Sequence, residues 1–150
     1  MAHLQGVRTL LAQYGARPAL CDAGLFHSVY GTESYTHQTI PDDLRPQVVA
    51  LLGGEAERIA RLFGVMEKES FYALLEAGEG VVTHRQTGAS VAVSRADVCD
   101  LSDLTVANWL EQRPRVEAKH KRIREDEFRR MLPCLMPGSR SAIVAAYGFV

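Results

Sequence analysis

One segment of the sequence is apolar on nearly every helical face, and it constrains the fold more than any other. Residues 19–30 read Ala-Leu-Cys-Asp-Ala-Gly-Leu-Phe-His-Ser-Val-Tyr, in which only Asp22, His27 and Ser28 are strongly polar. Pro18 precedes the segment, in a position favoured for the first turn of a helix. A helix without a polar face belongs in the centre of a helical bundle. We therefore predict an all-α fold whose most buried helix carries His27.

The segments on either side of this helix are amphipathic. In residues 3–14 the apolar side chains recur at spacings of three and four, and Gly15 follows in the place of a left-handed C-terminal cap. Ser94 and Asp97 form a capping pattern that starts a helix ending before Pro114. The remaining helical predictions cover residues 41–52, 55–77 with Gly64 as a candidate break, 115–130 and 141–150.

One short stretch has β character instead. Residues 81–84 and 90–93 are short runs rich in valine, on either side of a turn that contains Gly88. We therefore predict a single all-α domain over residues 1–150. It is a bundle of six or seven helices with one small β-hairpin at about residues 81–93.

The composition narrows the classes of partner. The chain has 47% apolar and 23% charged residues and a formal net charge of −1, so it is neither disordered by composition nor strongly attracted to nucleic acid. The charged residues 115–130 alternate in sign, which favours a solvated helix over a basic RNA or DNA stripe.

No apolar stretch reaches the roughly 18 residues of a membrane span, and residues 1–5 lack a signal-peptide pattern. We expect a cytoplasmic protein with no nucleic-acid or membrane partner, and a homodimer stays open.

The cysteines do not suggest a metal or disulfide framework. Cys21, Cys99 and Cys134 are odd in number and have no CxxC spacing. Each lies among apolar neighbours, so we expect three small buried side chains.

Two histidines are candidates for a functional site. His3 opens the first amphipathic helix, and His27 lies 24 residues later in the buried helix. A short turn between two antiparallel helices would bring their imidazole rings close together. A histidine on an apolar helix is also common as a hydrogen-bonded core residue, and that interpretation stays open.

The residues around His27 resemble a known family. Residues 23–33 read Ala-Gly-Leu-Phe-His-Ser-Val-Tyr-Gly-Thr-Glu, and residues 101–108 read Leu-Ser-Asp-Leu-Thr-Val-Ala-Asn. Over residues 3–112 the chain resembles the HD-domain superfamily of metal-dependent phosphohydrolases, especially its guanosine tetraphosphate hydrolase branch. The His-Ser-x-Tyr-Gly-Thr-Glu string also resembles a bacterial family of uncharacterised function. The first resemblance implies an HD-like helical fold and hydrolysis of a phosphorylated small molecule.

The resemblance implies a metal site, from which this sequence departs. It implies metal ligands at His3, His27 and Asp103, with Asp100 as a competing carboxylate. Ser28 stands where the family has a metal-bridging Asp, and a neutral hydroxyl does not replace a carboxylate on a hard cation. These ligands suit one divalent ion, iron, manganese or zinc, rather than a two-metal site.

Other departures affect the residues that would act on water. Gly31 and Thr32 replace the family's Glu-Asp pair, and Glu33 follows one position later. The candidate catalytic residues are therefore Glu33 and Tyr30. The candidate substrate-binding residues are Ser28, Thr32, His37 and Asn108.

Three functional hypotheses follow. The first is a divergent HD-like metal-dependent enzyme, hydrolytic or biosynthetic, that acts on a small molecule. The second is a pocket without metal that binds or converts a small molecule, including a catalytically inactive regulatory domain. The third is a scaffold in which the two histidines only pack.

Overall fold

The apolar segment after Pro18 folds into a helix that packs against three others. The computed structural model describes residues 1–150, and its α-helices in chain order are α1 (Ala2–Tyr14), α2 (Pro18–Phe26), α3 (Arg45–Leu52), α4 (Gly54–Val65), α5 (Lys68–Ala73), α6 (Arg95–Gln112), α7 (Glu125–Met131) and α8 (Pro137–Tyr147). Helix α2 contacts α1, α4 and α6. Its interior position explains why its sequence lacks a polar face. The predicted all-α fold class is confirmed.

The predicted hairpin is present between α5 and α6. Strands β1 (Gly80–Thr83) and β2 (Ser90–Val93) pair antiparallel, with Val82 opposite Val91. Gly88 in the connecting turn has φ 73°, a left-handed conformation that glycine adopts without steric cost.

The predicted long helix over residues 55–77 is divided in two. Its break lies at Met66, which has extended backbone angles and forms an isolated bridge with His84. The backbone N–H of Glu67 donates to Thr83, and that of Arg85 donates to Val65, at 2.8 and 2.7 Å. The hairpin therefore competes with the helix for backbone hydrogen bonds, which is why the chain has eight α-helices rather than six or seven.

The charged segment is mostly not helical, contrary to the prediction for residues 115–130. Short 3₁₀ turns occupy Arg113–Arg115 and Ala118–His120, and the helix begins only at Glu125. Arginine side chains bind backbone carbonyls in this region: Arg113 donates to the Lys121 carbonyl at 2.9 Å. A carbonyl that accepts from a side chain does not need a helical partner.

Helix α6 begins with the predicted capping box. The Ser94 hydroxyl accepts from the Asp97 backbone N–H at 3.2 Å, and the Asp97 carboxylate accepts from the Ser94 N–H at 2.8 Å. The helix then contacts α1, α2, α4, α7 and α8. Leu101, Leu104 and Val106 on α6 belong to the main hydrophobic core. None of the helices combines the length and apolar character needed to cross a membrane.

Candidate functional site

The antiparallel packing of α1 and α2 brings the two candidate histidines together. Gly15 has φ 94° and caps α1, so the chain turns back sharply into α2. His3 lies in the first turn of α1 and His27 is the C-terminal cap of α2. Their ring centroids are 5.4 Å apart with an angle of 84° between the planes. The edge of one ring therefore faces the other.

These imidazoles line a large cavity of about 920 Å³. Six of the residues that the sequence singled out are on its wall: His3, His27, Ser28, Thr32, Glu33 and Asn108. Five aromatic residues are also on the wall: Tyr35, Phe63, Tyr72, Trp109 and Phe128. The cavity is within the size range of small-molecule sites, which are about 300–1,000 Å³ and combine aromatic walls with a few polar groups.

Helix α6 contributes one regular face to this wall. Thr105, Asn108, Trp109 and Gln112 all line the cavity, at spacings of three and four residues. The sequence analysis named only Asn108 from this face. The periodicity that could have identified the other three is visible in the sequence, but it does not reveal which neighbour the face meets.

His27 is held as a neutral imidazole. Its Nδ1 donates to the Gly24 carbonyl at 2.7 Å, so in this tautomer Nε2 carries the lone pair. Burial lowers the pKa of His27 to about 4, and the charge of His3 lowers it further. Hydrogen bonding to Gly24 and to the Asn108 side chain opposes this shift. A hydrogen-bond donor on a ligand can therefore bind Nε2.

His3 lies between a carboxylate and an amide. Its Nδ1 contacts the Glu111 carboxylate, and its Nε2 is 3.0 Å from the Asn108 Oδ1 atom. Arg115 also binds Glu111, at 2.5 Å. Burial of Glu111 opposes its ionisation, but the hydrogen bonds from Arg115 and His3 outweigh burial and lower the pKa of Glu111. Glu111 is thus an ionised partner that orients the His3 ring, and the sequence analysis did not identify it.

Lys68 is a second group that the sequence analysis missed. Its Nζ donates to the Ser34 hydroxyl at 2.7 Å, and no carboxylate lies within ion-pair distance of it. Burial lowers the pKa of Lys68. Glu33 lies beside it and accepts the Lys68 backbone N–H at 3.0 Å, at the start of α5. Glu33 therefore has a structural partner although it lines the cavity.

Arg124 lines the cavity in an unusual backbone conformation. It is the one residue other than glycine with positive φ, at 57°. Its guanidinium donates to Glu69 at 2.9 Å and lies over the Tyr72 ring, 5.0 Å from the centroid. These contacts hold the side chain against the cavity wall. Nothing local in the sequence indicates them.

Tyr30 does not line the cavity. Its hydroxyl donates to the buried carboxylate of Glu57 at 2.9 Å, and Arg45 binds the same carboxylate oxygen at 2.7 Å. Gly31 has φ 73°, and its carbonyl approaches α4 so closely that a Cβ on Gly64 would lie 2.7 Å from it. The Tyr-Gly part of the string thus attaches the loop after α2 to α4.

Asp103 also lies away from the cavity. It is five residues from Asn108 on α6, which places it about 140° around the helix. Its carboxylate accepts the Met136 backbone N–H at 3.1 Å, at the start of α8. The competing Asp100 instead pairs with Arg17 at 2.7 Å. The three implied ligands His3, His27 and Asp103 are therefore not brought together.

The remaining predicted residue, His37, stacks edge-on against Tyr35 at 6.0 Å and is not part of the cavity wall. No group of three or more His, Cys, Asp or Glu side chains in the structure could hold a metal ion. The site is thus an aromatic cavity with two imidazoles, the amides of Asn108 and Gln112, and cationic groups at Lys68, Arg115 and Arg124.

Comparison with known proteins adds one match. The model of a family described as "Domain of unknown function (DUF6817)" matches residues 1–68. This range contains His3, His27 and the string up to Glu33, but not the α6 face of the cavity. No curated protein and no solved structure matches the chain. The HD-domain resemblance therefore stays a prediction.

Proposed function

We propose that this chain binds a small organic molecule in the cavity beside His3 and His27. The observation that carries the proposal is the cavity of about 920 Å³ in which neutral His27, Asn108 and His3 meet beside aromatic side chains. Binding sites for small molecules typically combine such a wall with a few convergent polar groups.

The wall divides by exposure into an inner end and a mouth. His27, Thr32, Phe63 and Met66 are buried, whereas Tyr35 and Ile123 are exposed. A bound molecule would place its hydrogen-bonding group at the buried imidazole and an apolar part against Phe63. A ligand that donates a hydrogen bond to neutral His27 would therefore bind more tightly than one that does not.

The donors at the cavity do not fit the metal ion that the HD-domain resemblance implies. Both ring nitrogens of His3 have partners, Glu111 and Asn108, and the Asp103 carboxylate lies off the cavity wall. Only the Nε2 atom of His27 is arranged as a ligand, with its Nδ1 held by a carbonyl. One ligand nitrogen does not make a metal site. Metal-dependent phosphohydrolysis stays a prediction that the donor arrangement does not favour.

Proton transfer to the bound molecule is the second candidate function. It is favoured by the contact of the Glu111 carboxylate with the His3 Nδ1 atom. A carboxylate that orients an imidazole leaves Nε2 to exchange a proton with a substrate once the Asn108 amide moves aside. In this role His3 would be the acid or base, with Glu111 as its positioning residue.

The single tryptophan offers a direct test of binding. Trp109 lines the cavity, so its fluorescence should change when a ligand enters. A panel of small metabolites is titrated against the wild type, His27→Asn and the control His120→Asn, whose histidine lies in an exposed 3₁₀ turn. We expect ligands that alter Trp109 emission in the wild type and control, with affinity reduced at least about tenfold in His27→Asn.

Two outcomes would contradict the proposal. One is equal affinity in His27→Asn and His120→Asn for every ligand found. The other is a metal content near one ion per chain in protein purified without chelator, lost in His27→Ala, which would favour the metal-dependent enzyme instead. If the protein converts a bound ligand, and this conversion is lost in His3→Asn but retained in His120→Asn, proton transfer by His3 would be established.

A further inference from the structure

Two cysteines that are distant in the sequence lie in contact. Cys99 is on α6 and Cys134 is in the 3₁₀ turn Leu132–Cys134 between α7 and α8. The Cys99 thiol donates to the Cys134 sulfur at a distance of 2.9 Å. A disulfide bond measures about 2.05 Å, so the two sulfurs need to approach by less than about 1 Å. The third cysteine, Cys21, is bonded elsewhere, to the Ala16 carbonyl.

The pair is accessible from solvent. Cys99 and Cys134 are free thiols that are only partly buried, whereas Cys21 is buried. Cys134 lines a second cavity of about 390 Å³, separate from the one at the histidines, together with Arg95 and Arg130. A small oxidant can therefore reach Cys134 directly.

We propose that Cys99 and Cys134 are a reversible redox pair that peroxide converts to an intramolecular disulfide and that thiols reduce again. The contact distance and the opening of Cys134 to the second cavity carry the proposal. Neither Cys99 nor Cys134 lines the histidine cavity. The proposal therefore does not depend on the proposed function.

The oxidation has two balanced steps. Hydrogen peroxide oxidises the Cys134 thiol to a sulfenic acid and is reduced to water. The Cys99 sulfur then attacks the Cys134 sulfur, the S–O bond breaks, and the proton of the Cys99 thiol leaves with the hydroxyl group as a second water. Each sulfur loses one electron and peroxide accepts both. Cys134 lines the second cavity, so its sulfur is the one that meets peroxide first, and burial raises the pKa of the Cys99 thiol.

The disulfide would constrain one wall of the histidine cavity. The closed loop runs from Cys99 to Cys134 and contains Asn108, Ile123 and Arg124, which all line that cavity. It also contains Glu111, the partner of His3. A crosslink across such a loop reduces the freedom of the unfolded chain and stabilises the fold. We expect the thermal midpoint to rise by about 10 °C on oxidation.

The test uses the full chain treated with hydrogen peroxide and then with dithiothreitol. Free thiols are counted, intact mass is measured, and the disulfide is mapped by non-reducing peptide mass spectrometry. The variants are Cys99→Ser and Cys134→Ser, with Cys21→Ser as the matched control. We expect the wild type and the control to lose two thiols and two hydrogens in mass, reversibly. Neither Cys99→Ser nor Cys134→Ser should do so.

The proposal is overturned if the wild type gains only oxygen atoms, if Cys21 enters the disulfide, or if the crosslink joins two chains. The thermal midpoint tests separately whether the disulfide constrains the loop that lines the histidine cavity. If a Cys99–Cys134 disulfide forms without raising the midpoint, the constraint on the loop is wrong. These readouts involve no ligand, so a failure here is distinguishable from a failure of the proposed function.

Discussion

Two buried side chains, His27 and Asp103, carry pKa shifts of opposite sense for the same reason. Burial disfavours the charged form of each, so the pKa of His27 falls to about 4 and that of Asp103 rises to about 6. The hydrogen bond from the Met136 N–H opposes the rise at Asp103. The folded state therefore binds fewer protons than the unfolded chain at His27 and more at Asp103. The stabilisation linked to neutral His27 is present above about pH 6.5 and is lost as the pH falls toward 4. The stabilisation linked to protonated Asp103 is present below about pH 4 and is lost as the pH rises through 6.

Replacing Asp103 should expose the pH dependence of His27. In Asp103→Asn the amide oxygen can still accept from Met136 but no longer ionises. We expect the free energy of unfolding of the variant, relative to wild type, to increase by at most about 3 kcal/mol between pH 4 and pH 7. Urea unfolding at several pH values measures this. His27→Asn should change the profile in the opposite sense, and identical profiles for wild type and Asp103→Asn would contradict the assignment.

The structural role of Tyr30 is tested by removing its hydroxyl. Tyr30→Phe leaves the buried Glu57 with Arg45 as its remaining partner. The lost hydrogen bond to a charged group should reduce the free energy of unfolding by about 1.5–3 kcal/mol. Ligand affinity should not change, because Tyr30 is not on the cavity wall. Tyr14→Phe, at a half-buried residue off the cavity wall, is the control. A loss of conversion without a loss of stability in Tyr30→Phe would restore its predicted catalytic role.

At the scale of elements, the loop after α2 is positioned by its close approach to α4. The Gly31 carbonyl lies where a Cβ on Gly64 would be, and Arg85 donates to both the Gly64 and Tyr30 carbonyls at 2.7 and 3.1 Å. The loop carries Ser28, Thr32 and Glu33 into the cavity wall. Contact between two backbones thus sets the position of the candidate site.

Alanine at two glycines of α4 should have opposite effects. Alanine normally stabilises a helix by up to about 1 kcal/mol relative to glycine. Gly54→Ala should follow this rule, because no atom lies near the added Cβ. Gly64→Ala should instead destabilise by about 1–3 kcal/mol, since the Gly31 carbonyl must move. Chemical denaturation compares the two, and equal effects would show that the loop does not depend on this contact.

At the scale of the whole molecule, the histidine cavity has one regular wall and one irregular wall. Helix α6 crosses the core and supplies the regular face, whereas residues 116–124 supply Val116, Ile123 and Arg124 from short turns that are mostly exposed. Segments with few buried apolar contacts open locally at lower free energy than core helices. The irregular wall is therefore the part through which a ligand would enter.

Hydrogen exchange should distinguish the two walls. Peptides covering residues 116–124 should exchange at least about tenfold faster than peptides covering residues 101–109 of α6. Mass spectrometry of the reduced protein measures both in one sample. Equal protection of the two segments would mean that the irregular wall is as rigid as the core helix.

The elements whose signals are local could be predicted from the sequence. The capping box at Ser94 and the turn at Gly88 depend on interactions within a few residues, and both appear where predicted. The antiparallel arrangement that joins His3 and His27 follows from two helices and one short turn, because such a turn leaves the helices little choice of neighbour. Gly64 indicated a break in the helix over residues 55–77, but the position of the break at Met66 depends on hydrogen-bonding partners in the hairpin.

What the amino-acid order alone determined is therefore the helical class, the hairpin and the meeting of two imidazoles. Only the tertiary structure decided which face of α6 meets the cavity, and with it that Asn108 and Glu111 approach His3 while Asp103 binds the Met136 N–H before α8. It also decided that Cys99 meets Cys134. The physical reason is that side chains a few residues apart on one helix point in different directions, and their neighbours come from segments folded elsewhere in the chain.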